Sequence, residues 1–297
     1  MKPKSWSRPI PSPAAPRRMW CRAVLVLLAA LLWATAGAEA QTPDASVPAA
    51  AVTITDDLGR TVRLERPAGR VVALYGAFNE LLAALGREDV IAARTKADTL
   101  PPSILDKPLV GTHMRPNLEI ITALKPDLVL QMGGRAEAAQ SVADLERLGI
   151  PAALFAPDDF ESLFTVFERV GVLVGAEAAA RELVAAQRAR LDAVAQAVAG
   201  APRPGVAFET RYPNLLCAGQ GSMTSGIIAR AGGENVVTAP DKLVRLGEEE
   251  LLRLDPDVYL VQRGPMNPAP SAPADRPHFA GLRAVRDGRV LLVDEAL

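Results

Sequence analysis

Residues 117–130 read NLEIITALKPDLVL, and residues 247–260 read GEEELLRLDPDVYL. Setting Pro126 on Pro256 brings Glu119 onto Glu249, Ile121 onto Leu251, Leu124 onto Leu254 and Asp127 onto Asp257. Each copy reads as a short amphipathic helix stopped by Pro, then an Asp, then an apolar run suited to a buried parallel strand. Two such units far apart in one chain predict an α/β fold of two similar three-layer lobes with a cleft between them. Pockets form preferentially at such interfaces, so a ligand is expected there.

The punctuation around the repeat extends this reading. Val52–Thr55 and Thr61–Leu64 flank Asp56-Asp57-Leu58-Gly59, a hairpin signal. Arg70–Leu74 reads as a strand, Phe78–Leu85 as a helix ended by Gly86, and Val90–Ala93 as another strand. In the second half, Gly205–Glu209 is a predicted strand and Ser225–Ala231 a helix stopped at Gly232-Gly233. Between the halves, 176–198 is Ala-rich and contains no Pro and no Gly after Gly175. At 1.5 Å per residue it spans about 34 Å, long enough to run along both lobes. A coiled-coil partner helix is the competing reading, although no sustained heptad seam is present. The predicted division is therefore a first lobe at 52–175, a bridging helix at 176–200 and a second lobe at 201–297.

The amino-terminal segment reads as an address. Lys2, Lys4, Arg8, Arg17, Arg18 and Arg22 precede or border an apolar run, Ala23–Leu32, and Ala38-Glu39-Ala40 offers a small-x-small cleavage site before Gln41. A run this short does not cross a hydrocarbon core of about 30 Å, so residues 1–40 are expected to be a cleaved export signal and the product periplasmic. Cys21 lies before the apolar run, which does not support lipid anchoring at the cut. Residues 41–51, rich in Pro and Ala, are expected to be a disordered linker. Residues 1–40 hold six of the 33 Lys and Arg and one of the 34 Asp and Glu, which leaves 27 against 33 and a net charge of −6. An acidic product argues against nucleic-acid binding, which needs a basic face. Only Cys217 then remains, so no disulfide framework is expected.

Several stretches together resemble one family: the hairpin TDDLGRTVRL, the strand and helix RVVALYGAFNELLAALG, VGTHMRPNLEIITALKPDLVL, AGGENVV, and LGEEELLRLDPDVYLV. In order and spacing they are similar to the periplasmic substrate-binding proteins that serve ATP-driven import of ferric siderophores, haem and cobalamin. The likeness covers about residues 52–297. It implies two α/β lobes bridged by one long helix, in agreement with the reading of 176–200. It also implies a monomer that captures an iron(III) chelate, siderophore or haem, and delivers it to an ABC permease and its ATPase. Cobalamin or an oxyanion is the alternative ligand. The resemblance implies no resident cofactor. Family members continue past the strand Arg289–Val293 with a last helix, whereas this chain stops at Leu297, which implies a less covered second lobe.

Open α/β sheets bind ligands beyond the carboxyl ends of their strands. The loops predicted there are 75–77, 94–96, 112–115, 132–135, 210–213, 242–245 and 262–264. Cationic residues recur in six of these seven although the mature chain is acidic. Arg presents a planar fork to carboxylate or phosphate, so Arg94, Arg115, Arg211, Arg245 and Arg263 point to an anionic ligand. The competing reading is ordinary solvation of surface Arg. Tyr75, His113 and Tyr212 are further candidates to line the cleft; the alternative for each tyrosine is a packed ring. The resemblance to haem carriers implies His113 or Tyr212 as iron ligands if haem is bound. It also implies that Glu119 and Glu249, one per lobe, dock into the permease, with Glu248 or Glu250 as substitutes in the second lobe. A carboxylate answering the helix dipole is the plainer role for both. An exported enzyme is the rival class. It would have to centre on His113 or His278, and the chain has no nucleophile elbow, phosphate loop or paired-His zinc motif.

Overall fold

The structure, a computed structural model, describes residues 50–264 and 266–294. The expected export signal, and the expected linker except residues 50 and 51, lie outside the described residues.

The chain opens with β1 (Val52–Thr55) and β2 (Thr61–Leu64), the hairpin its turn signal predicts, with Gly59 at φ 74°. Asp56 closes it. This buried carboxylate accepts the Leu58 and Arg60 N–H groups, the Arg60 guanidinium and the Leu154 N–H. These bonds and Arg60 hold its pKa below the ordinary value against the opposing effect of burial, the largest single influence.

The first lobe then runs β3 (Val71–Ala73), α1 (Gly76–Ala84), β4 (Ile91–Ala93), the small hairpin β5 (Gly111–Thr112) and β6 (Arg115–Pro116), α2 (Leu118–Leu124), β7 (Leu128–Met132), α3 (Ala136–Arg147), β8 (Ala152–Phe155) and α4 (Phe160–Val174). Its four-stranded sheet, in order β4-β3-β7-β8, is parallel throughout. Alternation along the strands makes two cores, one per face. Val71, Ala73, Leu128 and Leu130 join α1, α4 and Ala180. Val72, Leu74 and Val129 join Ile121 of α2 and Val142 and Leu145 of α3.

The predicted bridging helix is α5 (Glu177–Ala197), 21 residues that contact α4 of the first lobe and α6 (Met223–Arg230) of the second. Gly175, at φ 67°, ends α4 just before it. The second lobe runs β9 (Gly205–Arg211), β10 (Leu216–Ala218), α6, β11 (Glu234–Asn235), β12 (Leu243–Arg245), α7 (Glu248–Leu254), β13 (Val258–Arg263), α8 (Arg283–Arg286) and β14 (Val290–Asp294). Its sheet has the order β12-β10-β9-β13-β14, with β11 also on β9. Here β9, β13 and β14 are parallel and β10 is reversed. One face carries a core of Ala207, Tyr259 and Val261 against Leu251, Phe279 and Leu282. Every residue of β14 is half-buried.

The two repeated segments fold alike. Both helices are seven residues long, and each ends on a non-Gly residue in the left-handed region, Lys125 at φ 47° and Asp255 at φ 38°. The stop therefore comes one residue before each Pro. Asp127 then accepts the Gly69 N–H at 2.9 Å, and Asp257 accepts the Gly205 N–H at 2.7 Å. The repeated Asp thus pins the helix-to-strand turn to the start of the neighbouring strand in both lobes.

Candidate ligand-binding site

Tyr75 lies two residues past the end of β3, occupies the N-cap of α1 and is exposed. Behind it, buried Asp98 accepts the Thr95 N–H at 2.8 Å and the Asn79 amide at 3.2 Å, tying the loop after β4 to α1. A Cβ at Gly76 would lie 2.9 Å from the Asp98 carboxylate, so glycine is required for this approach. His113 sits at the tip between β5 and β6. Its carbonyl accepts from Gln131 Nε2 at 3.1 Å, and Gln131 is a buried residue of β7. This pinning sets the His113 ring edge-on to Tyr75, with centroids 6.0 Å apart. Two candidates separated in sequence therefore form one aromatic pair at the carboxyl end of the first sheet.

The arginines divide. Arg94 is committed to main chain: its Nε and Nη2 donate to the Leu105 carbonyl at 3.3 and 3.1 Å, and Nη1 donates to Asp98 O at 3.2 Å. Arg263 is held by Asp294 through both carboxylate oxygens, one contact being 2.6 Å. Arg115 is exposed on β6, and its backbone N–H donates to Thr112 Oγ1 at 3.1 Å. Arg211 and Arg245 are both registered opposite Leu216, on the two strands flanking β10. The β9–β10 pairing carries a register irregularity between Leu216 and Cys217, and the two arginines lie about 10 Å apart at the backbone over two strand spacings. The Arg211 Nε is buried without a hydrogen-bond partner. Among the described residues neither guanidinium has an acceptor.

Tyr212 is half-buried. Its hydroxyl donates to Glu248 at 3.1 Å, its ring lies 3.9 Å beneath the Arg276 guanidinium, and it packs edge-on to Phe279. Burial first, then the Glu248 hydrogen bond, raises its pKa above the ordinary phenol value. Below it sits a buried polar network absent from the sequence reading. Arg276 grips Glu209 with both terminal nitrogens, one at 2.9 Å, while Tyr259 donates to Glu209 at 2.7 Å and Ser271 O accepts from Arg276 at 2.6 Å. The Arg276 and Glu209 side chains are 2% and 0% exposed, so the pair is shielded from bulk solvent. Only Glu209 had a local signal, a charge inside an apolar strand that needs a partner. Arg276 comes from a Pro-rich stretch 67 residues later.

Glu119 and Glu249 occupy the first turns of α2 and α7, and both are exposed. The two named substitutes are committed elsewhere: Glu250 pairs with Arg253 at 2.6 and 3.0 Å, and Glu248 receives Tyr212.

A family model described as periplasmic binding protein matches residues 71–297. The chain belongs to the periplasmic binding protein family. An ABC transporter substrate-binding lipoprotein of Bacillus subtilis, YvrC, is 25% identical over 92% of this chain and 88% of its own length. A cobalamin-binding protein of Halobacterium salinarum is 29% identical over 80% of this chain and 67% of its own. Among solved structures, the periplasmic haem-binding protein RhuT of Roseiflexus superposes with a TM-score of 0.66 at 26% identity, covering 77% of this chain and 90% of that one. These relatives are solute-binding proteins rather than enzymes. No helix among the described residues is long and apolar enough to cross a membrane.

Proposed function

We propose that this periplasmic binding protein is the extracytoplasmic solute-binding component of an ABC importer, capturing an anionic iron(III) chelate, siderophore or haem, for delivery to the membrane permease. The lobes divide at the bridging helix as 52–175, 176–200 and 201–297, following an export signal at 1–40. The observation that carries the ligand class is the pair Arg211 and Arg245. They flank Leu216 from the two strands on either side of β10 and lack acceptors among the described residues, with the Arg211 Nε already desolvated. A desolvated Arg donor gains most from an ionised acceptor supplied by a ligand. Arg115 adds a third cation from the first lobe. Tyr75 and His113 supply an aromatic wall against which a porphyrin or catecholate ring packs, and His113 or Tyr212 is the iron ligand if haem is the cargo. Glu119 and Glu249 are the docking carboxylates, one per lobe.

The test is calorimetric titration with haemin, an iron(III) tris-catecholate and cyanocobalamin, since the mature chain from Gln41 contains no Trp for fluorescence. Tight binding of either ferric chelate, weakened at least tenfold (about 1.4 kcal/mol) by joint replacement of Arg211 and Arg245, is the expected result. Unchanged affinity in the double variant rejects the anionic site, and exclusive binding of cyanocobalamin selects the alternative cargo.

A further inference from the structure

Glu248 is the first residue of α7, adjacent to the docking candidate Glu249, yet its carboxylate is turned to Tyr212 on the ligand-side loop after β9. The Tyr212 ring is fixed from two sides, by the Arg276 guanidinium at 3.9 Å and by Phe279 edge-on at 5.6 Å. Arg276 is itself locked on buried Glu209. The ring therefore stays in place, but a hydroxyl proton rotates freely about its C–O bond and serves whichever acceptor is better placed. The cation over the ring draws electron density from the phenol and makes that hydroxyl a stronger donor. Its neighbour in sequence, Arg211, is the desolvated cation of the ligand site.

We infer that Tyr212 is a relay between cargo and docking face: an anionic ligand that takes its hydroxyl releases Glu248 onto the exposed end of α7. Two carboxylates, Glu248 and Glu249, are then offered to the permease in place of one. This rests on the proposed ligand site and docking role. Exchanging one charge-assisted hydrogen bond for another is nearly neutral in free energy, so occupancy of the site decides which acceptor holds the proton. The device exists in one lobe only. The position in α2 that matches Glu248 is Leu118, which has no carboxylate to hold or release. Loaded protein is thereby distinguished from empty protein through the second lobe.

The experiment is carbodiimide footprinting of carboxylates, read by mass spectrometry on wild-type protein with and without saturating haemin, with Glu119 and Glu249 as internal references. A charge-assisted hydrogen bond protects about tenfold, so Glu248 labelling should rise about tenfold on saturation while the two references stay constant. Tyr212→Phe keeps the ring stack and removes the hydroxyl; its ligand-free form should already label at the higher rate. Flat Glu248 labelling in haemin-saturated wild type, or no increase in Y212F, overturns the relay and leaves the ligand reading standing. Saturation is checked by the haem absorbance band, with the iron(III) tris-catecholate as second probe. Failure of both chelates to bind overturns the ligand reading and the relay with it.

Discussion

Replacing Arg276 by Met should destabilise the second lobe far more than loss of any other ion pair described in this protein. Met roughly fills the aliphatic volume of Arg, so the main effect is electrostatic. Glu209, 0% exposed, would lose both guanidinium bonds and keep only the Tyr259 hydroxyl at 2.7 Å. An ionised carboxylate left in that setting costs about 3–5 kcal/mol, against at most about 1 kcal/mol for an exposed pair such as Arg188–Glu161. For a chain of this size that corresponds to a fall in Tm on the order of 10 °C. Urea unfolding followed by tyrosine emission and circular dichroism measures it, because Tyr212 and Tyr259 both touch the network. The double variant Glu209→Leu, Arg276→Met removes both charges and should recover most of the loss, since a buried pair is often replaceable by apolar residues. A single R276M variant within about 1 kcal/mol of wild type would show that water reaches Glu209 and would refute the reasoning.

Asp257 is held below its ordinary pKa of 3.8, first by the Gly205 N–H and then by Arg283. Its folded pKa is depressed, so its contribution is present above 3.8 and lost as the pH falls through the lower folded value; Asp257→Asn should flatten the acid limb of stability, and an unchanged limb counts against this role. Burial, then Glu209, pushes the Cys217 thiol up to about 12, so Ellman's reagent should leave the native protein unlabelled at neutral pH and react only after unfolding; rapid native labelling would contradict that burial. Reversing Glu119 and Glu249 together should abolish uptake and transporter pull-down with chelate affinity nearly unchanged, each single reversal giving a partial, salt-sensitive defect. If the two carboxylates serve only the helix dipole, transport survives and Tm falls slightly.

The parts of the fold that were legible in the sequence are those fixed by short-range rules. Pro126 and Pro256 marked the two helix ends to within a residue, because a helix cannot run through Pro and the turn residue before it has to leave the helix. Asp56 to Gly59 marked the hairpin, and the Ala-rich stretch without Pro or Gly, 176–198, marked α5 to within one residue at each end. What β10, β11 and β12 do was not legible. They are three, two and three residues long, and their pairing to β9 and to one another is set by the sheet edge rather than by any period of their own.

The binding candidates failed to sort by sequence for the same physical reason. Arg94, Arg211 and Arg263 each follow or end a strand and are indistinguishable as letters. Their availability depends on acceptors delivered from elsewhere: the Leu105 carbonyl from a later turn for Arg94, Asp294 from the last strand for Arg263, and none among the described residues for Arg211. The repeat carries the same lesson at the proposed docking carboxylates. Glu119 and Glu249 align, and their helices match in length, in end and in the Asp that follows. One residue earlier the copies differ, Leu118 against Glu248, and that single difference links the second helix to Tyr212 on the loop after β9. Duplicated backbone therefore positions two equivalent carboxylates, while the side chains around them differ: among the described residues Glu248 is tied to Tyr212 and Leu118 has no carboxylate to tie.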